Sequence, residues 1–258
     1  MIGIFDSGIG GLTVLKEIRN QLPDHNFIYI ADSAFTPYGE KTTEQIIERS
    51  VLITQKLVEK GCRIIVVACN TATALAVDHL REKFSVPIVA MEPAVKPGVK
   101  NSVKKKVGIL ATTMTLASRR YMNLLERFAT DTEVIEQPCP GLVELVEAMA
   151  IDTDKTSQLL HQYINPLLKK GIDTIVLGCT HYPLLKQKII EVTGEDIEII
   201  DTAKAVTEQL RRKIESCEIP AKVGTANRFI TTGDLMFYKN QLQCYWPMEV
   251  AVEQIDLN

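Results

Sequence analysis

Twice along this chain a glycine leads into a short, unbroken apolar run that ends on a cysteine. In Gly61-Cys-Arg-Ile-Ile-Val-Val-Ala-Cys69 the run is Ile64 to Ala68, and in Gly171-Ile-Asp-Thr-Ile-Val-Leu-Gly-Cys179 the same order recurs. The glycine stands eight residues before the cysteine both times (61 to 69, 171 to 179). Runs this short and rich in β-branched residues read as strands buried on both faces of a parallel sheet. Helix-starting residues follow each cysteine. Asn70 and Thr71 are good N-caps before an Ala-rich stretch, and Thr180-His181-Tyr182 precede Pro183, which suits the first turn of a helix. Each thiol therefore stands where a strand stops and a helix starts, where open α/β sheets bind ligands. A single such cysteine reads equally well as a buried structural thiol. Two in matching places favour function.

The rest of the chain alternates in the same way. Ile2 to Phe5 reads as a strand, Asp6-Ser7-Gly8-Ile-Gly10-Gly11 as a glycine-rich turn and Leu12 to Leu22 as a helix. The turn lacks the third glycine of a dinucleotide fingerprint, since Thr13 stands there, and no Gly-Lys-Ser/Thr follows. It remains a loop that offers backbone N–H groups to a carboxylate or phosphate. Phe27 to Ala31 is a second strand, leading into a loop that ends Thr36-Pro37-Tyr38-Gly39, a plausible pocket wall. Thr42 to Glu59 is a helix and Val86 to Ala90 a strand. Glu92-Pro93 and Lys96-Pro97-Gly98 break the pattern and suggest a domain crossing. Lys106 to Ala111, with Thr112 and Thr115 just beyond it, restarts the opening motif, and a helix follows over Ala117 to Phe128. A strand over Val134 to Gln137, a helix over Leu142 to Met149 carrying Glu144 and Glu147, and a helix over Thr156 to Lys169 lead to Cys179. Ile197 to Ile200 is the last strand of this half, and a helix over Thr202 to Ile214 returns the chain. Arg228 to Thr232 reads as an added strand, Thr232-Gly233-Asp234 as a helix cap and Glu249 to Ile255 as an edge strand.

Such alternation implies an α/β fold of parallel sheets with helices on both faces. Gly3 to Cys69 spans 66 residues and Gly108 to Cys179 spans 71, so the halves echo each other. The expected architecture is two similar α/β domains, 1–92 plus 206–258 and 93–205, related by an approximate twofold with the ligand cleft between them.

Composition narrows the class. In 258 residues, 46% hydrophobic and 24% charged content is that of an ordinary globular protein. A net charge of -3 shows no footprint for nucleic acid, and Lys104-Lys105-Lys106 reads as a solvated loop. No apolar run approaches the roughly 20 residues of a membrane span, and the N-terminus lacks a signal peptide's basic start. Six cysteines (62, 69, 139, 179, 217 and 244) without a Cys-x-x-Cys pair argue against a disulfide framework or structural zinc, and a cytoplasmic location with reduced thiols is expected.

Two thiols facing one ligand admit several chemistries. A redox pair needs bonding distance. A metal needs more ligands than Cys69, Cys179 and His181. A Cys-His hydrolase needs one thiol. Proton transfer at a tetrahedral carbon fits best, because one thiolate can remove a proton from one face while the opposite thiol protonates the other.

The segments Gly3-Ile-Phe-Asp6-Ser7-Gly8-Ile-Gly10-Gly11-Leu, Pro37-Tyr38-Gly39, Ala68-Cys69-Asn70-Thr71-Ala, Gly178-Cys179-Thr180-His181-Tyr182-Pro183-Leu-Leu and Thr231-Thr232-Gly233-Asp234 resemble the bacterial glutamate racemases of the aspartate/glutamate racemase family. The resemblance runs to about Phe237, and Gly-Cys-Thr-His is closer to the glutamate enzymes than to their aspartate relatives. It implies cofactor-independent interconversion of L- and D-glutamate, supplying D-glutamate for peptidoglycan, with no metal. By the family pattern Cys69 would handle the proton of D-glutamate and Cys179 that of L-glutamate. Asp6 and Glu147 would be supporting carboxylates, and His181 the partner of the second thiol. Asp6, Ser7, Pro37, Tyr38, Gly39, Asn70, Thr71, Thr112, Thr115, Thr180 and His181 fall on its substrate-binding positions. A free thiol titrates near ~8.5, and helix N-termini behind each cysteine, with His181 beside the second, would favour the thiolate. The other readings are an aspartate or hydantoin racemase and a two-lobed amino-acid-binding protein. Glutamate is the expected partner, nucleic acid and membrane are not, and a homodimer is compatible with the sequence.

Overall fold

The apolar runs form strands, and every strand pairing among the described residues is parallel. A computed structural model describes residues 1–221, 227–246 and 250–257. In chain order the elements are β1 (Ile2–Asp6), α1 (Leu12–Gln21), β2 (Phe27–Ala31), a 3₁₀ turn (Tyr38–Glu40), α2 (Thr43–Glu59), β3 (Ile64–Val67), α3 (Asn70–Lys83) and β4 (Ile88–Ala90). Then come α4 (Val95–Asn101), β5 (Lys106–Ala111), α5 (Thr113–Leu116), α6 (Arg119–Phe128), β6 (Glu133–Pro138), α7 (Leu142–Glu147), α8 (Asp154–Lys169) and β7 (Thr174–Gly178). A second 3₁₀ turn (Tyr182–Leu185), α9 (Lys186–Thr193), β8 (Glu198–Ile200), α10 (Ala203–Ser216), β9 (Arg228–Thr231), α11 (Leu235–Tyr245) and β10 (Ala251–Gln254) complete it.

The chain forms two compact units, Met1–Met91 with Ala203–Asn258, and Glu92–Thr202. The first carries a six-stranded sheet in the order β10-β9-β2-β1-β3-β4, and the second a four-stranded sheet in the order β6-β5-β7-β8. Four strands of the first unit thus repeat the order of the second: the opening strand lies between the next two, and the fourth lies beyond the third. The register repeats as well. Gly3 pairs with Ile65 and Gly108 with Ile175, each partner four positions before its cysteine (65 to 69, 175 to 179). Strands β1, β2, β3 and β7 are buried along their whole length, as strands covered on both faces must be.

The glycine shared by the two cysteine units is a helix stop. Gly61 and Gly171 follow α2 and α8 with φ of +84° and +79°, the left-handed conformation that lets a chain leave a helix without a Cβ clash.

The structure departs from the sequence reading in a few places. The Lys96-Pro97-Gly98 stretch, read as a break, is the helix α4. Pro97 sits in its first turn, where N–H groups have no intrahelical partner and a missing one costs nothing. Gly98 lets the helix approach β7, since a Cβ there would stand 2.5 Å from Val176. The helix expected over Ala117 to Phe128 is α6, preceded by the short α5. Ser118 caps α6, its hydroxyl accepting the Tyr121 N–H at 3.2 Å. The edge strand is β10, while Glu249, where it was expected to begin, lies outside the described residues. Lys104 and Lys105 lie in the exposed bend before β5 and Lys106 opens that strand, Lys105 and Lys106 pairing with Asp131 and Glu133 at 3.3 and 3.4 Å. Among the described residues no helix is long and apolar enough to cross a membrane.

Candidate active site

In the first unit the candidate residues gather at the carboxyl edge of the sheet. Phe5 pairs with Val67 and Asp6 with Ala31, so the turns after β1, β2 and β3 emerge side by side. Cys69 lies two residues past β3, buried, and is itself the N-cap of α3. The expected caps, Asn70 and Thr71, are instead the first helical residues. The Cys69 sulfur accepts the Ala72 N–H at 3.4 Å, so the positive end of a 14-residue helix faces it. The Ser7 hydroxyl lies 3.9 Å from it.

Asp6 is fully buried at the end of β1, and its Oδ2 accepts the N–H groups of Gly11 at 2.9 Å and Gly8 at 3.3 Å. The glycine-rich turn therefore closes around the protein's own carboxylate. Gly11 is required there, since a Cβ would stand 2.7 Å from both the Asp6 Cβ and the Tyr29 hydroxyl. Asn70 is 4% exposed, and neither its Nδ2 nor its Oδ1 has a hydrogen-bond partner. An unsatisfied buried amide costs on the order of 1–3 kcal/mol, which a bound ligand would relieve. Thr71 is buried beside it. Pro37 and Gly39 are half-buried, while Tyr38 packs in the core cluster that contains Cys69.

The Tyr38 hydroxyl donates to Asp32 at 2.7 Å. Burial first, then the Asp32 charge and hydrogen bond, hold its pKa well above the usual tyrosine value, so the ring stays neutral. Asp32 and its partner Arg49 escaped the sequence reading. Asp32 could have been found there, because it stands at the carboxyl end of β2 as Asp6 stands at that of β1. Arg49 lies in mid-helix, where nothing in the sequence marks it.

The second unit positions its candidate residues differently. Ala111 pairs with Gly178, so Thr112 and Cys179 follow adjacent strands. The helix N-terminus expected behind Cys179 is absent, and a 3₁₀ turn intervenes before α9. Pro183 explains it: with no N–H it cannot give the Cys179 carbonyl an α-helical bond, and Tyr182 N–H takes that carbonyl at 3.2 Å instead. His181 supplies what the helix does not. Its Nδ1 lies 3.8 Å from the Cys179 sulfur and 3.4 Å from the Thr180 hydroxyl, and its Nε2 lies 2.6 Å from Glu147 Oε1. Burial opposes charging the ring. Its bonds to Cys179 and Glu147, and their charges, outweigh burial and raise its pKa well above the usual histidine value. A thiol, an imidazole and a carboxylate thus stand in line, the last supplied by the end of α7.

Thr112 caps α5, accepting the Thr115 N–H at 3.2 Å, and the two hydroxyls are 2.9 Å apart. Cys139 is a buried thiol beyond β6. Burial, and then the Cys179 charge, push its pKa up, so it stays protonated. All six cysteines are free. Among the described residues no group of three or more His, Cys, Asp or Glu is placed to hold a metal ion.

The chain is similar to proteins of known family. Residues 3–210 match the family model described as Asp/Glu/hydantoin racemase. The glutamate racemase of Ectopseudomonas mendocina (strain ymp) is 50% identical over 236 residues, covering 91% of this chain and 90% of that protein. The crystal structure of glutamate racemase isoform RacE1 from Bacillus anthracis has a TM-score of 0.91 at 34% identity, covering 100% of this chain and 97% of that one. That of Escherichia coli glutamate racemase, solved with L-glutamate and the activator UDP-MurNAc-ala, has a TM-score of 0.89 at 33% identity, covering 99% and 97%.

Proposed function

The chain belongs to the Asp/Glu/hydantoin racemase family, and from that premise we propose that it interconverts L- and D-glutamate by a two-thiol proton transfer without a cofactor. The observation that carries the reading is the repeat: two units share a four-strand order, and in each a buried thiol stands just past the third strand. In this reading Cys69 and Cys179 act on opposite faces of one α-carbon.

With D-glutamate bound, the Cys69 thiolate takes the α-proton, and the electron pair left on carbon spreads into the α-carboxylate. The Cys179 thiol then delivers its proton to the other face, giving L-glutamate. The turnover leaves Cys69 as thiol and Cys179 as thiolate, the state that starts the reverse reaction. The α3 N-terminus and Ser7 serve the first sulfur, and His181, oriented by Glu147, serves the second. Asp6 holds the glycine-rich turn. Ser7, Pro37, Tyr38, Gly39, Asn70, Thr71, Thr112, Thr115 and Thr180 line the substrate's place, and the unpaired Asn70 amide supports that role most directly. The product would serve peptidoglycan synthesis in the cytoplasm, and a homodimer is compatible with the reading. Circular dichroism of L-glutamate incubated with purified, dialysed protein should decay to zero, while L-aspartate keeps its signal. A persistent glutamate signal would refute the proposal.

A further inference from the structure

The carboxylate of Asp32 is fully buried one residue beyond β2, and it is saturated. Its Oδ2 accepts the Tyr38 hydroxyl at 2.7 Å and Arg49 Nε at 3.0 Å. Its Oδ1 accepts Arg49 Nη2 at 2.5 Å and the Thr232 hydroxyl at 2.8 Å. A carboxylate has about four lone-pair sites, and all are filled here by the side chains of Tyr38, Arg49 and Thr232. The arginine meets it side-on through two N–H groups, the geometry that adds direction to charge.

Arg49 is fixed in turn. Its guanidinium lies over the Phe35 ring at 5.1 Å from the centroid, and its Nη1 donates to the Leu257 carbonyl at 3.3 Å. Leu257 is itself buried in the core cluster that contains Tyr38 and Cys69. The Thr232 hydroxyl also accepts the Ala34 N–H at 3.1 Å. Every bond runs to the 33–39 loop or to an element bracing it.

We propose that Asp32 and Arg49 are positioning residues that set the Pro37-Tyr38-Gly39 loop for substrate through the Tyr38 hydroxyl. This rests on the reading that the loop binds substrate. Neither residue needs to touch substrate: Arg49 orients Asp32, Asp32 fixes the ring of Tyr38, and the ring fixes the backbone on either side of it. Asp6 does the equivalent for the glycine-rich turn beside it, through N–H groups instead of a side chain.

The test is a cycle of Arg49→Lys, Tyr38→Phe and the double variant, with KM and kcat measured for both enantiomers and thermal midpoints measured alongside. Arg49→Lys keeps the charge but loses the two-pronged contact. Tyr38→Phe keeps the packed ring and loses only the tether. Each single variant should raise KM about ten-fold, with a smaller change in kcat. Arg49→Lys should add less than two-fold in the Tyr38→Phe background, because the route through the Tyr38 hydroxyl, which the proposal holds to be the one that sets the loop, is already cut. KM effects that multiply in the double variant, or a lower thermal midpoint with unchanged KM, would overturn the proposal. Amide exchange across residues 33–41 gives the same cycle without any reaction: faster exchange in each single variant, and no further gain in the double. If the wild-type protein failed to racemise glutamate, the proposed function alone would fall, and amide exchange would still decide whether the network holds the loop.

Discussion

His181 is buried between a sulfur and a carboxylate, and its protonation can be read from stability. Its folded pKa lies above the ordinary value because Cys179 and Glu147 outweigh the burial that opposes charging. A raised folded pKa adds stability that is fully present below about 6.5, the unfolded value. That stability is lost as pH rises through the folded pKa. The urea-unfolding gap between wild type and His181→Gln should therefore be widest near about pH 6 and close toward alkaline pH. Glu147→Gln removes one of the two supports, so it should lower the ring's titration midpoint, read by NMR, and slow racemisation by about a hundred-fold at neutral pH. A gap that widens upward would mean a ring that is neutral in the folded state.

At the scale of elements, α4 is the informative failure. The pair Pro97-Gly98 signals a turn by local propensity, yet both residues serve a helix. Pro97 falls where no N–H is needed, and Gly98 faces Val176 at a distance no side chain allows. Gly98→Ala removes a helix-weakening residue, a gain of about 1 kcal/mol. It also forces a methyl against a stiff β-branched side chain in a fully buried strand, where overpacking costs about 1–3 kcal/mol. The second effect should win, giving a net loss on the order of 1 kcal/mol in urea unfolding; a more stable variant would show that the contact yields. The failure marks what a local reading cannot supply. Strand positions, the cap at Asp234 and the helix over residues 43–59 follow from nearby residues and were legible. The place of Gly98, like the pairing of Asp32 with Arg49, depends on partners far along the chain. The cap at Cys69 was misplaced by one residue for a different reason: a thiol is a weak acceptor, and a cap search looks for oxygen.

At the scale of the molecule, the repeat was legible because it is written twice in spacing: glycine to cysteine, and opening strand to cysteine. The pairing register repeats as well, Gly3 and Gly108 each facing the residue four positions before the cysteine of their unit. The asymmetry within the repeat was only half legible. His181 was visible as a partner, but its burial against Glu147 and the loss of the helix behind Cys179 follow from packing and from Pro183. The proposed mechanism makes this asymmetry testable one thiol at a time. In deuterated water the intact protein should place deuterium at the α-carbon of its product, because the thiol that reprotonates the carbanion exchanges with solvent. In Cys179→Ala, L-glutamate presents its proton to the missing base and should be inert. D-glutamate presents its proton to Cys69, which can take it and return a deuteron to the same face, so slow exchange without inversion should persist. Cys69→Ala should show the opposite preference. Its residual exchange of L-glutamate should weaken further when Glu147→Gln is added, because only the Cys179 side depends on His181. The same change added to Cys179→Ala should leave exchange of D-glutamate nearly untouched. Proton NMR of the α-hydrogen follows every variant with each enantiomer. Equal wash-out of both enantiomers from either single-cysteine variant would mean one mobile base, and the assignment of one thiol to each face would have to be given up.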